Sequence, residues 1–252
     1  MLWGFSLFGC FFLNKRDIDF KTGFSFSYGI DFVRQLCYNQ FSGKQDLLNI
    51  LRIAAAEKGR NNMKTVVFHG SPRKGNTYTA TKIFTDALSQ YGKAEYSEFF
   101  LPKDVPEFCL GCQMCLGNPR EKCPHANYID PIYKAIMEAD ALIFTTPHYG
   151  GSSMTGSMKN LLDHLDFFTL TVSPRKEMFG KKAFILTTGT GSTSAVKQIE
   201  KCLKGWGINR VSSAGIKMFT NKWDKMPIKK QKSLEKRLVK AARNFYSMKK
   251  KT

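Results

Sequence analysis

The sequence predicts an α/β fold in which buried parallel strands alternate with amphipathic helices. Short apolar runs at residues 65–68 and 141–146 are rich in β-branched residues, as is typical of strands buried on both faces of a parallel sheet. Each run is followed by a turn signal and then by apolar residues at helical spacing. Hydrophobic residues make up 42% of the 252 residues, which favours a packed core over disorder.

The first strand and helix enclose a loop whose residue types suit an anion. The strand stops at Gly70-Ser71-Pro72, and the helical pattern starts at Thr77. The loop offers two hydroxyls, a planar cation, an amide and a close backbone approach, from Ser71, Thr77, Arg73, Asn76 and Gly75. The helix directs its free N–H groups and its positive dipole end at the same place. We interpret the loop as a phosphate site, although an ordinary polar loop is the alternative. It matches neither the Walker A pattern nor G-x-G-x-x-G.

Four more strands and their helices follow in alternation. The strands are predicted at residues 93–101, 141–146, 181–188 and 211–219, and the helices at 128–139, 157–168, 196–206 and 229–248. Ligands of open α/β sheets collect at the carboxyl ends of the strands. The loops that begin at Pro147 and Gly189 should therefore lie beside the phosphate loop.

Four of the seven cysteines lie in one short segment with the spacing C-x2-C-x2-C-x7-C, namely Cys109, Cys112, Cys115 and Cys123. Three thiolates at x2 intervals can bind one face of a cubane cluster, and a distant fourth can close the site. Structural zinc more often uses two separated C-x-x-C pairs. The spacing favours a [4Fe-4S] cluster, with redox-active thiols and zinc as alternatives.

Three segments together resemble the NADPH-dependent FMN reductase and iron-sulfur flavoprotein family. They are GSPRKGNT, the four-cysteine segment and PHYGGSSMTGSMKN, in the family's order, and the resemblance runs from about Met63 to the C-terminus. It implies a flavodoxin-like three-layer sandwich with a five-stranded parallel sheet of order 2-1-3-4-5. It also implies FMN as cofactor, NAD(P)H as electron donor, and a homodimer or higher oligomer.

The resemblance also implies where FMN binds. The phosphate would lie at Ser71, Arg73, Gly75, Asn76 and Thr77. The ring would be bordered by Pro147, His148, Tyr149, Gly150, Gly189, Thr190 and Gly191, with Tyr149 able to stack on it. Because flavin supplies the redox chemistry, no catalytic acid or base is predicted, and His148 is given no such role. A cluster would pass single electrons to or from the flavin.

The strong positive charge bears on two other possible functions, nucleic-acid binding and non-enzymatic electron transfer. The formal net charge is +19, and residues 217–252 hold thirteen Lys or Arg against two acidic residues. A solvated helix face explains this better than a nucleic-acid surface, because few aromatic residues accompany the cations. A non-enzymatic electron carrier is disfavoured because flavodoxins are usually acidic. We expect a cytoplasmic enzyme with a small-molecule or protein electron acceptor, no nucleic acid and no stable membrane insertion.

Residues 1–62 are predicted to be an extension outside the flavodoxin-like domain at 63–252. The initial apolar run is too short for a membrane span and lacks the basic start of a signal peptide. Lys58-Gly59-Arg60 can be encoded by a purine tract like a bacterial ribosome-binding site, shortly before Met63. We hypothesise that Met63 is the true start and that residues 1–62 are translated upstream sequence. A membrane-surface extension is the alternative.

Overall fold

The computed structural model describes residues 62–116, 122–148, 153–170, 176–189, 194–218, 220 and 222–248, all within the unit Arg60–Thr252. Apart from Asn62, the predicted extension lies outside the described residues. The strands are β1 Met63–His69, β2 Ala94–Phe100, β3 Ala141–Pro147, β4 Lys182–Gly189 and β5 Arg210–Lys217. The helices are α1 Asn76–Ser89, α2 Leu101–Asp104, α3 Ala126–Glu138, α4 Gly156–His164, α5 Phe167–Leu170, α6 Lys176–Phe179, α7 Ser194–Gly205 and α8 Ile228–Tyr246, with a 3-10 turn at Trp223–Lys225.

The five strands form one parallel sheet in the order β2-β1-β3-β4-β5, which confirms the predicted topology. The central strands β3 and β4 are buried along almost their whole length, so they show apolar runs instead of alternation. The edge strands β2 and β5 are partly exposed and carry more polar residues.

Helices cover both faces of the sheet and complete the predicted three-layer sandwich. On one face α1 and α8 pack through a cluster that includes Phe84, Leu88, Leu238 and Phe245. On the other face α3, α4 and α7 contribute their own apolar residues, among them Ile132, Leu161, Ile199 and Leu203. Each helix therefore presents its apolar stripe to the sheet.

The structure differs from the prediction where helices begin or end. The helix predicted at 157–168 is two helices, α4 and α5, because the Asp166 amide bonds to the Asp163 carbonyl at 3.3 Å and tightens the chain into a turn. Pro102 lies in the first turn of α2, where its missing N–H costs nothing.

Two buried lysines bind the C-terminal ends of helices at the amino edge of the sheet. Lys181 Nζ donates to the carbonyls of Met137 and Ala139, at 2.9 and 2.6 Å, at the end of α3. Lys182 Nζ donates to the carbonyls of Phe245 and Tyr246, at 3.1 and 3.2 Å, at the end of α8. Cations are favourable at this end of a helix dipole. Burial nevertheless lowers both pKa values, that of Lys182 to about 8.

Helix α8 has a buried apolar side and a basic side in water. Leu234, Leu238, Ala242 and Phe245 are buried, whereas six cations are exposed: Lys229, Lys232, Lys236, Arg237, Lys240 and Arg243. The cations of α8 therefore lie on the side of the helix that is opposite to its buried apolar residues. None of the helices in the described part of the chain combines the length and the apolarity needed to cross a membrane.

Candidate flavin site and cysteine segment

Hydrogen bonds bring the ends of β1, β3, β4 and β5 together at the carboxyl edge of the sheet. The Gly70 amide donates to the Thr145 carbonyl at 2.8 Å, the His148 amide to Thr188 at 2.7 Å, and the Met218 amide to the Gly189 carbonyl at 2.9 Å. The three loops that the sequence assigned to one ligand therefore start side by side. Four of the predicted residues, Tyr149, Gly150, Thr190 and Gly191, lie outside the described residues.

The loop before α1 leaves the N-terminus of that helix open. Gly75 occupies the N-cap position, no side chain in the described part of the chain caps the helix, and its first turn holds no acidic residue. Ser71 Oγ instead stabilises its own turn by donating to the Arg73 carbonyl at 2.7 Å. A Cβ added to Gly75 would meet no atom of the described residues within 4 Å. The loop thus offers a positive helix end beside open space, which fits an anionic group.

Asn76 and Thr77 make contacts that tie α1 to other strand ends. Asn76 Nδ2 donates to the Thr220 carbonyl at 2.6 Å, and its second hydrogen has no acceptor among the described residues. Asn76 Oδ1 is buried and has no partner in the described residues. Thr77 Oγ1 lies 2.6 Å from Thr188 Oγ1, and whichever hydroxyl accepts retains a hydrogen to donate elsewhere. Asn76 and one hydroxyl of the Thr77–Thr188 pair therefore keep a hydrogen that a ligand could accept.

Pro147, His148 and Gly189 form the described border between the loops after β3 and β4. Gly189 has φ +148°, and a Cβ there would lie 2.9 Å from His148 Cβ. Glycine is therefore required for the close packing of the two loops, independently of any ligand. Burial lowers the pKa of His148, so its imidazole is favoured in the neutral form.

The four cysteines of the segment lie near one another but do not converge as ligands. Cys109 and Cys112 are exposed, and Cys115 and Cys123 are partly buried. The pKa of the Cys115 thiol is raised, chiefly by burial and also by repulsion between its thiolate form and those of the other three, so each of these lies within electrostatic reach of Cys115. In the described ranges, no three His, Cys, Asp or Glu side chains form a group that could hold a metal ion.

Two residues between these cysteines have left-handed backbone angles. Gly111 has φ +64° and Gln113 has φ +57°. Successive turn conformations of this kind can orient backbone N–H groups toward an anion, as in many iron-sulfur sites. The donor type, donor number and backbone of this segment therefore fit a cluster, although the thiols do not converge.

Thr155, which was not singled out from the sequence, joins α4 to the phosphate loop. Thr155 Oγ1 accepts from the Met158 amide at 3.2 Å, and so caps α4. The same hydroxyl donates to the Gly70 carbonyl at 2.8 Å. A Cβ on Gly70 would come within 2.9 Å of Thr155 Oγ1, so this contact requires glycine. A threonine just before a helical pattern is an N-cap signal that could have identified it.

His69 was also missed, at the end of β1 beside the phosphate loop. It is buried, its Nε2 lies 2.8 Å from Glu98 Oε2, and its ring stacks on Phe100 at 4.5 Å. Burial lowers the pKa of His69, and Glu98 opposes this shift. No local pattern marks the pair, because Glu98 belongs to the neighbouring strand β2.

The family of this chain is identified by the similarity of its sequence to known proteins. The sequence profile of the NADPH-dependent FMN reductases matches residues 63–220, which is more than half of the chain. The chain belongs to the NADPH-dependent FMN reductase family. It is thereby placed among NAD(P)H-dependent flavin oxidoreductases, which confirms the resemblance seen in the sequence.

Curated relatives of this FMN reductase family member include iron-sulfur flavoproteins. One from Methanocaldococcus jannaschii is 34% identical over 40% of this chain and 50% of its own length. One from Archaeoglobus fulgidus is 28% identical over 74% of this chain and 83% of its own length. The chain thus spans half of the first relative and most of the second.

Solved structures similar to this FMN reductase family member share its fold. An NADH:FMN oxidoreductase in its apo form matches with a TM-score of 0.51 and 20% identity, covering 75% of this chain and 92% of that one. An NAD(P)H:quinone oxidoreductase from Methanothermobacter marburgensis matches with a TM-score of 0.56 and 17% identity, covering 73% and 97%. At these identities the likeness supports the flavodoxin-like fold alone.

Proposed function

We propose that the protein is an FMN-dependent NAD(P)H oxidoreductase of the iron-sulfur flavoprotein type. The observation that carries the proposal is the uncapped N-terminus of α1, which opens at the same sheet edge as the ends of β3 and β4. FMN, when bound, supplies hydride and one-electron chemistry, so the protein has to bind, orient and shield it.

The phosphate loop would bind the phosphate end of FMN. The free N–H groups of α1 and the exposed cation of Arg73 are the strongest donors there. Ser71 shapes the turn, and Gly75 leaves room for close approach. Asn76 Nδ2 has a hydrogen left for the phosphate, whereas its buried Oδ1 suits a ribityl hydroxyl, which is a donor. Thr77 completes the set through its hydroxyl pair with Thr188.

The loops after β3 and β4 would border the flavin ring. The residues concerned are Pro147, His148, Tyr149, Gly150, Gly189, Thr190 and Gly191. A neutral His148 would not place a positive charge beside the ring, and the tight Gly189 contact fixes the distance between the two loops. No residue of this border is assigned a proton-transfer step.

Cys109, Cys112, Cys115 and Cys123 would hold a [4Fe-4S] cluster that exchanges single electrons with the flavin. Three observations support this: the spacing of the ligands, the electrostatic interaction of Cys115 with the other three cysteines, and the similarity to proteins described as iron-sulfur flavoproteins. The thiols would have to converge on binding, as is usual when metal binding and folding are coupled.

Anaerobic purification and reconstitution test both cofactors. We expect flavin absorption together with a broad visible cluster band, and about four iron and four sulfide per chain. Replacing any one of the four cysteines by Ser should lower iron content and spare FMN, whereas Cys202→Ser on α7 should change neither. Absence of iron after reconstitution would eliminate the cluster, and a metal without visible absorption would indicate zinc.

The electron partners and assembly belong to the same proposal. We propose oxidation of NAD(P)H, a small-molecule or protein acceptor, a homodimer or higher oligomer, and a cytoplasmic location. Steady NAD(P)H oxidation with an added acceptor supports an enzyme. A protein that binds FMN but is not reduced by NAD(P)H would instead be a flavodoxin-type carrier.

A further inference from the structure

Asn160 on α4 bonds with both ends of its amide to the chain that leads into the first cysteine. Its Nδ2 donates to the carbonyl of Glu107 at 2.8 Å and to that of Val105 at 3.3 Å. Its Oδ1 accepts from the Cys109 amide at 3.1 Å. The side chain is 4% exposed, so one buried amide holds three backbone groups of a segment outside any helix or strand.

His164, one turn further along α4, is bonded at the other end of the cysteine segment. His164 Nδ1 lies 3.0 Å from the Asn160 carbonyl, which can only accept, so Nδ1 carries the proton. In the neutral ring Nε2 is then the acceptor, and it receives the Nδ1–H of His125 at 2.8 Å. His125 follows Cys123 by two residues, and both imidazoles are buried.

We propose that Asn160 and the His125–His164 pair act as a clamp that holds both ends of the cysteine segment on α4 and pre-organises its thiols for one metal group. This role rests on the metal site proposed above. Fixing both ends in advance reduces the chain entropy lost when four ligands converge. The partners of ligating residues commonly set metal affinity in this way.

The polar character of the clamp argues against simple packing. A buried amide or imidazole is costly unless it is hydrogen-bonded, and an aliphatic side chain would fill the same space at lower cost. Here every polar atom of the Asn160 amide and of the His164 ring is directed to the cysteine segment, to His125 or to the helix itself. Thr155, at the start of the same helix, binds the phosphate loop. The helix spans these anchors over roughly 13 Å, at 1.5 Å per residue.

The two ends of the clamp can be tested separately by amide hydrogen exchange on the purified full chain without metal. Asn160→Ala should speed exchange around residues 105–109 by about tenfold, because each lost hydrogen bond lowers the cost of local opening. His164→Leu, which keeps the Asn160 side chain, should speed exchange around residues 122–128. Lys159→Ala is the matched control, since Lys159 lies on the same helix, is exposed, and pairs with Asp163. Unchanged exchange in both clamp variants would overturn the proposal.

Cobalt binding tests the metal role through the thiolate-to-Co²⁺ absorption bands. We expect Asn160→Ala and His164→Leu each to weaken Co²⁺ binding about 10- to 100-fold. Asn160→Asp keeps the acceptor for the Cys109 amide but turns a carboxylate oxygen toward the Val105 and Glu107 carbonyls, so it should not recover that affinity. Wild-type affinity in both clamp variants would refute the clamp. If the wild-type protein shows no thiolate bands, the metal site and this role of the clamp are both wrong. The exchange experiment then still shows whether Asn160 and His164 hold the two ends of the cysteine segment.

Discussion

Arg73 is the residue on which the proposed flavin site depends most directly. It is exposed in the phosphate loop, just before the open N-terminus of α1. An arginine there can meet a phosphate with two parallel N–H donors, which a lysine cannot. Its contribution should therefore be to ligand binding, with little effect on the fold.

Arg73→Ala should weaken FMN binding by about 1.5–3 kcal/mol, the usual value of a hydrogen bond to a charged group. Titration of the apoprotein, followed by the change in flavin fluorescence, measures this. Lys82→Ala removes a cation from the exposed side of the same helix and should leave FMN affinity intact. Equal affinity of the Arg73 variant and the wild-type protein would contradict the phosphate assignment.

Gln113 carries backbone strain inside the cysteine segment. Its φ of +57° lies in a region that disfavours side chains with a Cβ, especially branched ones. Gln113→Gly should relieve about 1 kcal/mol of this strain, offset in part by the greater freedom of glycine when unfolded. Gln113→Val should lower iron incorporation, and Gln113→Gly should retain it. Iron content after reconstitution at equal protein concentration compares the two, and better loading of the Val variant would show that the strained turn is not part of the site.

The residues that could be predicted from sequence are those whose roles are local. Ser71, Arg73 and Gly75 follow from a loop between a strand and a helix, and the structure places them there. The partners of Asn76 and Thr77 are Thr220 and Thr188, more than one hundred residues away, and no local pattern encodes such contacts. Asn160 and His125 were missed for the same reason.

At the scale of whole elements, the apolar pattern predicted β1, β3 and β4 as short apolar runs, because these strands are buried on both faces. It did not predict the break between α4 and α5, because a turn within an apolar stripe leaves the stripe intact. It also did not reveal that Lys182 binds the end of α8. A lysine at the start of a strand has the same appearance in the sequence whether it is buried or exposed.

The buried cation beneath α8 should make stability depend on pH. Lys182 loses its proton near pH 8 when folded, through burial and repulsion by Arg210, and near pH 10.5 when unfolded. Between these values the unfolded chain binds the extra proton, so raising the pH favours the folded state. Relative to Lys182→Met, the free energy of unfolding of the wild-type protein should rise by at most about 1.4 kcal/mol per pH unit in this window. Below pH 8 the difference between the two proteins should not change with pH.

Urea unfolding of wild type and Lys182→Met, below pH 8 and at about pH 10, measures that difference. Lys217→Met on β5 is the control, because Lys217 is exposed. The free energy of unfolding of this variant should differ from that of the wild type by the same amount at both pH values. If the free-energy difference between wild type and Lys182→Met is also the same at both pH values, the buried ammonium of Lys182 titrates as it does in water.

For the whole molecule, the five-stranded sheet of the described residues begins at Met63. The edge strand β2 pairs with β1 from Met63 onward. The family profile also begins at residue 63. We therefore keep the proposal that residues 1–62 lie outside the functional domain.

Deletion of residues 1–62 should leave a protein that unfolds cooperatively and binds FMN as tightly as the full chain. Thermal unfolding and flavin titration of the two proteins side by side test this. Loss of the cooperative transition in the shorter protein would show that the first 62 residues contribute to the core. Mass spectrometry of the native protein tests the proposed start, since peptides from residues 17–34 would exclude it.

The buried lysines at the amino edge of the sheet also make natural reporters of opening. Lys181 and Lys182 are 4% and 8% exposed, whereas the cations of α8 lie in water. An amine-reactive label should modify the surface lysines at once, and reach these two only when α3 or α8 separates from β4. Peptide mapping of a labelling time course would then read the frequency of that separation in the unmodified protein, with no engineered probe.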